Sequence, residues 1–161
     1  MKYPIKSMLP IILATIFFAC KKDNTGGQLI KLLDTVPARQ YYYDDIFKNI
    51  SPEIYGTWKV IGTSGGFAGN GYPPDFDYLL VKPNAVFGIV RNNSLLTTGK
   101  LEIVERPPYD LLVHFVSDTP PNEVNVEIIS DYEKFLVFQS DTLSLYSTCC
   151  DRFDTHLKKV D

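Results

Sequence analysis

The residues with the clearest capacity for chemistry in this 161-residue chain are two adjacent cysteines, Cys149 and Cys150. A zinc site needs about four ligands, yet His114 and His156 are the only histidines and no C-x-x-C pair is present, so we expect no metal site. A disulfide between neighbours is strained, because adjacent Cα atoms lie about 3.8 Å apart and disulfides usually join Cα atoms about 4.4–6.8 Å apart. The open alternatives are a vicinal disulfide that locks a turn, which we favour, two free thiols, a bond to another chain and a redox pair.

Other catalytic combinations are poor in this sequence. His114 lies in LVHFV among apolar residues, a pattern typical of a packed strand histidine, and His156 shares its strand face with Asp154 and Lys158, which predicts a solvated side chain. No serine-nucleophile motif is present, and the glycine-rich stretch at 65–71 lacks the Lys-Ser/Thr ending of a phosphate-binding loop. We therefore expect no enzymatic activity and no cofactor.

The N-terminal segment has the pattern of a secretory signal. Lys2 and Lys6 precede a mostly apolar stretch from Met8 to Ala19. A membrane-spanning helix needs about 20 apolar residues, which is more than this stretch offers. Residues 1–19 are therefore predicted to be a signal peptide that is absent from the mature fold.

The end of this stretch, Phe17-Phe18-Ala19-Cys20, resembles the lipobox of bacterial lipoproteins, in which a small residue precedes the acylated cysteine. The resemblance implies cleavage before Cys20 and its modification with acyl chains such as palmitate. Phe17 stands where leucine is usual, as in the looser lipoboxes of Bacteroidota-type lipoproteins. Two or three acyl chains anchor a protein stably, and the implied location is the outer membrane, with its periplasmic and outward-facing sides both open. The cysteine pair would then lie outside the cytoplasm, where disulfides persist.

Net charge excludes one class of partner. Loss of Lys2 and Lys6 with the signal lowers the basic residues from 16 to 14 against 19 acidic ones, which leaves a formal charge of −5. We therefore expect no nucleic-acid surface. An acidic domain is also repelled by an anionic membrane surface, so contact with the membrane is expected through the lipid anchor.

Composition divides the mature chain into two parts. Residues 20–52 are predicted to hold the lipidated tether, over 21–34, and a short helix, over 35–50. Glycines and charges favour flexibility in the first stretch, and a threonine cap with a proline in the first turn favours a helix in the second. Residues 53–161 form the predicted barrel domain, whose length suits one small barrel and not two domains.

From Ile54 onward the hydrophobic period is two, and turn sequences separate the apolar segments. Such a series without helical crossovers predicts an all-β fold, a small antiparallel meander barrel of eight or nine strands preceded by the short helix. The predicted strands are IYGTWKVIG, DYLLVK, AVFGIVR, LLTTGKLEIVE, DLLVHFV, EVNVEII, KFLVFQ, DTLSLY and FDTHLKKV. The predicted inward residues include Val60, Val124, Val126, Ile128, Val137, Leu143, Leu145 and Leu157.

Short motifs in this domain resemble those of lipocalins. Gly56-Thr57-Trp58 matches the Gly-x-Trp signature of the first strand, and Ser130–Phe135 is similar to the Thr-Asp-Tyr motif between the sixth and seventh strands. A basic residue, Lys159 or Arg152, would cover the tryptophan, where lipocalins use arginine. DFDYLLVKPNAVFGIVRN and DTLSLYSTCCDRF also look like a group of lipocalin-like envelope lipoproteins of the Bacteroidota type. The resemblance implies an eight-stranded barrel, lipocalin-like, in which Trp58 packs across the closed end.

The long stretch TSGGFAGNGYPPDFD is, by the same resemblance, a lid over the barrel mouth, with Phe67, Tyr72 and Phe76 over the opening. The predicted inner face is apolar, so a guest of the barrel would be apolar too. We therefore expect a lipid-anchored module that binds a small apolar ligand. The alternatives are an envelope interaction module with a filled barrel, whose protein partner is unknown, and a thiol-redox role for the cysteine pair.

Overall fold

The computed structural model describes residues 25–35, 52–67, 69, 71–105, 111–149 and 151–160. The signal peptide, Cys20, nearly all of the predicted helix over 35–50, and Cys150 lie outside these ranges. Predictions for those parts stay predictions.

Eight antiparallel strands form a closed barrel in which each strand pairs with the next and β8 pairs with β1. This confirms the predicted meander barrel with a short helix before it. The strands are β1 Gly56–Gly65, β2 Tyr78–Val81, β3 Val86–Arg91, β4 Ser94–Glu105, β5 Leu111–Ser117, β6 Glu133–Gln139, β7 Thr142–Ser147 and β8 Phe153–Lys159. The helices are α1 Thr25–Ile30, 3-10 helices over Lys31–Thr35 and Pro52–Ile54, α2 Pro121–Val124 and α3 Glu127–Ser130.

Helix α1 and the 3-10 helix after it lie where the sequence predicted a flexible tether. Leu29 and Leu33, four residues apart, fall on one side of these helical turns and are buried against the outer wall of the barrel. Burial of a leucine side chain stabilises a structure by about 1.5–3 kcal/mol. The two leucines thus favour docking of the segment, together with the hydrogen bond that Gly26 accepts from β1.

The docked segment contacts three consecutive strands. Thr57 of β1 donates a hydrogen bond from Oγ1 to the carbonyl of Gly26 at 3.0 Å. Leu80 of β2 and Val90 of β3 form the apolar surface beneath the two leucines. Residues 25–35 are therefore part of the folded domain.

The predicted strand EVNVEII is wrong, because this segment forms α2, a short break and α3. Pro121 lies in the first turn of α2, where its missing N–H costs little, and Asn125 ends the helix in the left-handed conformation with φ of 47°. Ile128 and Ile129 are both buried although they are adjacent, which a half-buried strand does not permit. The barrel therefore has eight strands and not nine.

The register of β1 and β8 defines two ends of the barrel. Trp58 lies opposite Lys159 at one end, and Gly65 lies opposite Phe153 at the other. We name these the Trp58 end and the loop end. The motif Ser130–Phe135 lies at the loop end between the fifth and sixth strands, and not between the sixth and seventh as predicted, because EVNVEII is not a strand.

The inner face of the barrel is mainly apolar, with Lys134 and Thr155 among its buried polar residues. Val137 is the exception in the predicted inward set, because its neighbours Leu136 and Phe138 pack in the core instead. Four consecutive apolar residues, Phe135 to Phe138, leave it ambiguous in the sequence which side of β6 points inward. A shift of one residue reverses the two sides. The predicted inward residues that do pack in or against the core are Val60, Val124, Val126, Ile128, Leu143, Leu145 and Leu157.

Trp58 fills the end of the barrel that bears its name. Its indole is buried, Nε1 donates to the carbonyl of Ile54 at 2.7 Å, and its ring lies 6.2 Å from that of Phe138. The Lys159 ammonium lies 5.3 Å from the indole centroid, within reach of a cation–π interaction. Lys159 thus occupies the covering position, whereas Arg152 lies at the loop end just before β8.

We expect Trp58→Ala to lower the free energy of unfolding by about 3–5 kcal/mol, because it leaves a cavity in the core. Ile61→Ala is the control on the same strand, since Ile61 is 57% exposed, and it should cost no more than about 1 kcal/mol. Urea unfolding followed by far-ultraviolet circular dichroism measures both variants. Equal losses would contradict the role of Trp58 as the plug of this end.

Candidate functional site

Two segments cover the loop end of the barrel. The loop cover, residues 71–77, belongs to the β1–β2 connection, and the helical cover, residues 118–132, contains α2 and α3. Phe76 of the loop cover and Ile128 and Ile129 of the helical cover are buried in the same core as the barrel strands. Both covers therefore place apolar side chains into the loop end.

The three residues predicted to lie over the mouth take different positions. Phe76 is buried in the core. Tyr72 packs its ring against Phe153, with the ring centroids 4.5 Å apart. Phe67 is 99% exposed. The structure thus brings Tyr72 and Phe76 onto the loop end and leaves the side chain of Phe67 in solvent.

A glycine and a threonine hold the loop cover on β1. Gly71 has φ of 67°, and a Cβ at this position would lie 2.5 Å from the carbonyl oxygen of Thr63, so only glycine permits the close approach. Thr63 Oγ1 accepts a hydrogen bond from the Tyr72 N–H at 2.9 Å and donates to the Tyr72 carbonyl. The position of Tyr72 is therefore set by backbone contacts.

The two covers are joined by polar contacts. Asp75 Oδ2 accepts a hydrogen bond from the backbone N–H of Glu127 at 2.6 Å. This N–H lies at the start of α3, where the capping residue Val126 has no side chain that could accept it. Glu127 Oε1 in turn lies 3.8 Å from Arg152 Nη1 in the β7–β8 connection. Three connections at the loop end are thus linked around Glu127.

Two buried polar atoms at this junction have no hydrogen-bond partner among the described residues, the Tyr72 hydroxyl and Asp75 Oδ1. The two side chains lie close to each other. Burial, followed by the negative charges of Asp75 and Glu127, raises the pKa of Tyr72 well above its ordinary value. The phenol therefore stays protonated, and the pair offers one donor and one acceptor.

A pocket of about 360 Å³ opens between the end of β5 and the helical cover, and we name it the rim pocket. Phe115 and Ile129, which belong to the core, also line it and form its floor. Val116, Pro120 and Tyr132 form walls that reach the solvent. The lining is mainly apolar, so the pocket has the shape and chemistry to hold a compact apolar group.

Polar side chains beside the rim pocket bond to the protein itself. Ser117 Oγ shares a hydrogen bond with Thr97 Oγ1 at 2.8 Å and accepts one from the Thr119 N–H at 3.1 Å. Asp118 Oδ2 accepts from Thr98 Oγ1 at 2.7 Å. These bonds fix the segment after β5, which forms part of the pocket wall.

His114 holds the aromatic wall of the rim pocket. Its ring lies 4.9 Å from that of Tyr132 in an edge-to-face arrangement, and its Nε2 lies 2.7 Å from Glu133 Oε2. The sequence predicted a packed strand histidine here. The structure places it on the outer face of β5, partly exposed, where it orients Tyr132.

A buried cation lies at the start of β6. Lys134 is 1% exposed, and its Nζ donates to Asp131 Oδ2 at 2.5 Å and to the carbonyl of Phe153 at 3.5 Å. Asp131 also accepts from Ser147 Oγ at 2.6 Å. Sequence reasoning missed this pair because it assigned the opposite facing to β6. The inward facing of Leu136 is the signal that places Lys134 inside as well.

A histidine network lies on the outer wall and differs from the solvated side chain that the sequence predicted. His156 Nε2 lies 2.8 Å from Ser64 Oγ, and its Nδ1 lies 3.0 Å from Ser144 Oγ. Asp154 Oδ2 lies 3.4 Å from Ser64 Oγ. Serine, histidine and aspartate are the residue types of many acyl-transfer sites, but acyl transfer also needs unpaired N–H groups that stabilise an oxyanion. These residues lie within paired strands. We interpret the cluster as a network that ties β1, β7 and β8 together.

The Cys149 side chain is exposed, and its N–H donates to Ser147 Oγ at 3.3 Å. Cys150 lies outside the described residues, so the vicinal disulfide stays a prediction. Within the described ranges, no three His, Cys, Asp or Glu side chains come together as metal ligands. None of the helices that the structure describes has the length and apolar character to cross a bilayer.

Comparison with protein-family models, with curated proteins and with solved structures gives no match for this chain. The protein is therefore classified by its topology alone, as a closed antiparallel meander barrel of eight strands. The resemblance to lipocalins and to envelope lipoproteins stays a prediction from the sequence.

We expect Asp131→Ala to lower the free energy of unfolding by about 3–5 kcal/mol, because it leaves the buried Lys134 charge unpaired. The double variant that adds Lys134→Met removes the charge as well and should recover most of that loss. Urea unfolding of the two variants and the parent measures the difference. Failure of the second substitution to recover stability would show that Asp131 acts through Ser147 and not through the ion pair.

Proposed function

We propose that this protein is a lipid-anchored binding module that holds a compact apolar molecule in the rim pocket. The observation that carries the proposal is the pocket itself. Its floor consists of the core residues Phe115 and Ile129, and its walls are fixed by hydrogen bonds within the protein. This combination of an apolar floor and an ordered wall is typical of small-molecule sites.

The size and lining of the rim pocket limit the guest. Its volume of about 360 Å³ lies at the lower end of the usual range for ligand sites, about 300–1,000 Å³. The guest is therefore compact. Ser117 and Asp118 already bond to protein groups, so the main contribution to binding comes from apolar contact with Phe115, Ile129 and Tyr132.

The rim is a better place for the guest than the barrel axis, where the sequence placed it. Trp58, Phe87 and Phe115 are among the largest fully buried side chains, and the rings of the two phenylalanines lie 5.3 Å apart, edge to face. A barrel of eight strands has room for its own side chains or for one small ligand. Large side chains occupy this interior, so the proposed guest lies between the barrel wall and the helical cover.

The same filled interior favours a second candidate function, an interaction module of the cell envelope. A barrel occupied by its own side chains can serve as a rigid support for an outer binding surface. The rim pocket separates the two candidates, because a binding module needs it to be open to a small molecule and an interaction module does not.

The anchor is proposed at Cys20 and the outer membrane is the proposed location, on the strength of the lipobox resemblance. We expect Cys20→Ser to abolish incorporation of an alkyne palmitate analogue in growing cells and to move the protein to the soluble fraction. Cys149→Ser removes an exposed thiol and is the matched control, with labelling unchanged. Labelling that persists in Cys20→Ser, or that is lost in Cys149→Ser, would contradict an anchor at Cys20.

The binding proposal predicts that bulk at the pocket wall excludes a guest. Val116 lines the rim pocket and is 44% exposed, and Val104 on β4 is 45% exposed and lies elsewhere. We expect Val116→Trp to weaken binding of the apolar fluorescent probe N-phenylnaphthylamine at least tenfold, whereas Val104→Trp leaves it unchanged. A fluorescence titration measures both variants. Equal binding by the two variants, or no saturable binding by the parent, would favour the interaction module instead.

A further inference from the structure

The wall of the barrel that carries α1 is the part of the domain nearest to the proposed lipidation site. Five chain steps separate Cys20 from Thr25, where the docked segment begins. An extended chain covers at most about 3.6 Å per residue, so the reach from Cys20 to Thr25 is about 18 Å. A tether extending to the first strand would have been several times longer and would have left the barrel free to turn.

We infer that the wall formed by β1, β2 and β3 faces the membrane and that the rim pocket faces away from it, toward the aqueous compartment. This inference rests on the proposed acylation of Cys20 and on the docking of residues 25–35. It adds to the proposed function the side from which the guest enters.

Strand order places the rim pocket across the barrel from α1. The docked segment packs on Leu80 of β2 and Val90 of β3, and Thr57 of β1 hydrogen-bonds to it. In a closed ring of eight strands, β6 lies opposite β2. The rim pocket is built at the end of β5 and at Tyr132, the residue before β6. The anchor and the pocket therefore lie on opposite walls.

The reach of the anchor is too short for the opposite orientation. Strands about 4.8 Å apart and tilted by about 40° give an eight-stranded barrel roughly 16 Å across at the backbone. The path around half of such a barrel is roughly 25 Å before side chains are added, which exceeds the reach of about 18 Å. The pocket wall cannot turn toward the bilayer while α1 stays docked.

This orientation selects the route of the guest. A pocket that faces away from the bilayer exchanges with molecules in the aqueous compartment or with a soluble protein that delivers them. The α1 wall has a pocket of its own, of about 350 Å³, lined by Thr25, Gln28, Leu29, Leu32 and Asn93. A guest of the rim pocket would enter directly from the lipid phase only if the rim pocket lay on that wall. The proposed guest is therefore a compact apolar molecule with measurable aqueous solubility, or one handed over by another protein.

The test uses the mature lipidated protein, from Cys20 onward, in phosphatidylcholine vesicles that contain a nickel-chelating lipid. Cys149 and Cys150 are replaced by serine, and one reporter cysteine is added as Gln28→Cys on α1 or Asn122→Cys on α2. Both positions are exposed amides on short helices, which makes them a matched pair. Each reporter carries a nitroxide, whose relaxation by the headgroup nickel rises steeply as the label nears the bilayer.

We expect several-fold stronger relaxation at position 28 than at position 122. Equal relaxation at the two positions, or stronger relaxation at 122, would overturn the orientation. Absence of the protein from the vesicles would instead contradict the anchor on which the inference rests. The relaxation measurement uses no guest molecule. It can therefore support or overturn the orientation whether or not the fluorescence titration supports the binding proposal.

Gly88→Val tests whether docking of α1 causes the orientation. A Cβ at Gly88 would lie 2.5 Å from Leu33 Cδ2 and 3.0 Å from Leu95 Cδ1, and valine is otherwise well suited to a strand. The substitution therefore crowds Leu33, and Leu29→Asp added to it places a charge against the apolar wall. Together they free α1 while the barrel stays folded, which circular dichroism checks. We expect the difference between the two reporters to shrink toward equality. A difference that persists in full with α1 displaced would overturn the proposed cause.

Discussion

The pairing of β1 with β8 is the interaction on which the rest of the structure depends, because it closes the sheet and gives every strand an inner and an outer face. A register shift within this ladder changes which residues of β1 face inward. Before the shift Val60 lies opposite the buried Leu157, and after it Thr63 lies opposite the buried Thr155. Cross-strand partners share a face, so Thr63 points inward and holds the loop cover. A regular strand would have turned it outward.

Much of the barrel could be predicted from the sequence because period-two segments and turn sequences recur along it. The number of strands could not be predicted from the sequence. EVNVEII has the alternating pattern of a strand, but it lies in two short helices, the second of which buries two adjacent residues. Alternation shows only that every second residue is apolar. Here Pro121 begins a short helix and Asn125 ends it in the left-handed conformation. The position of the first helix was also missed, since Leu29 and Leu33 find their partners on strands far along the chain.

The candidate site was predicted less well than the fold, for a physical reason. Its pieces come from connections at the loop end, and those connections are brought together by contacts that no local pattern encodes. The hydrogen bond from Glu127 to Asp75 joins segments about 50 residues apart, and the rim pocket exists because the segment after β5 folds as helices. Lys159 and Arg152 were both candidates for the residue that covers Trp58, and the register of β1 with β8 decides for Lys159.

The meander that closes on itself also sets an order of events during folding. Trp58 and Lys159 are neighbours in the ladder but roughly 100 residues apart along the chain, which places this pair among the most distant contacts the barrel has to form and makes it slow to find. Until β8 is made, β1 presents an unpaired edge, and such edges readily join those of other chains. Synthesis of the final strand thus converts an aggregation-prone intermediate into a ring without edges.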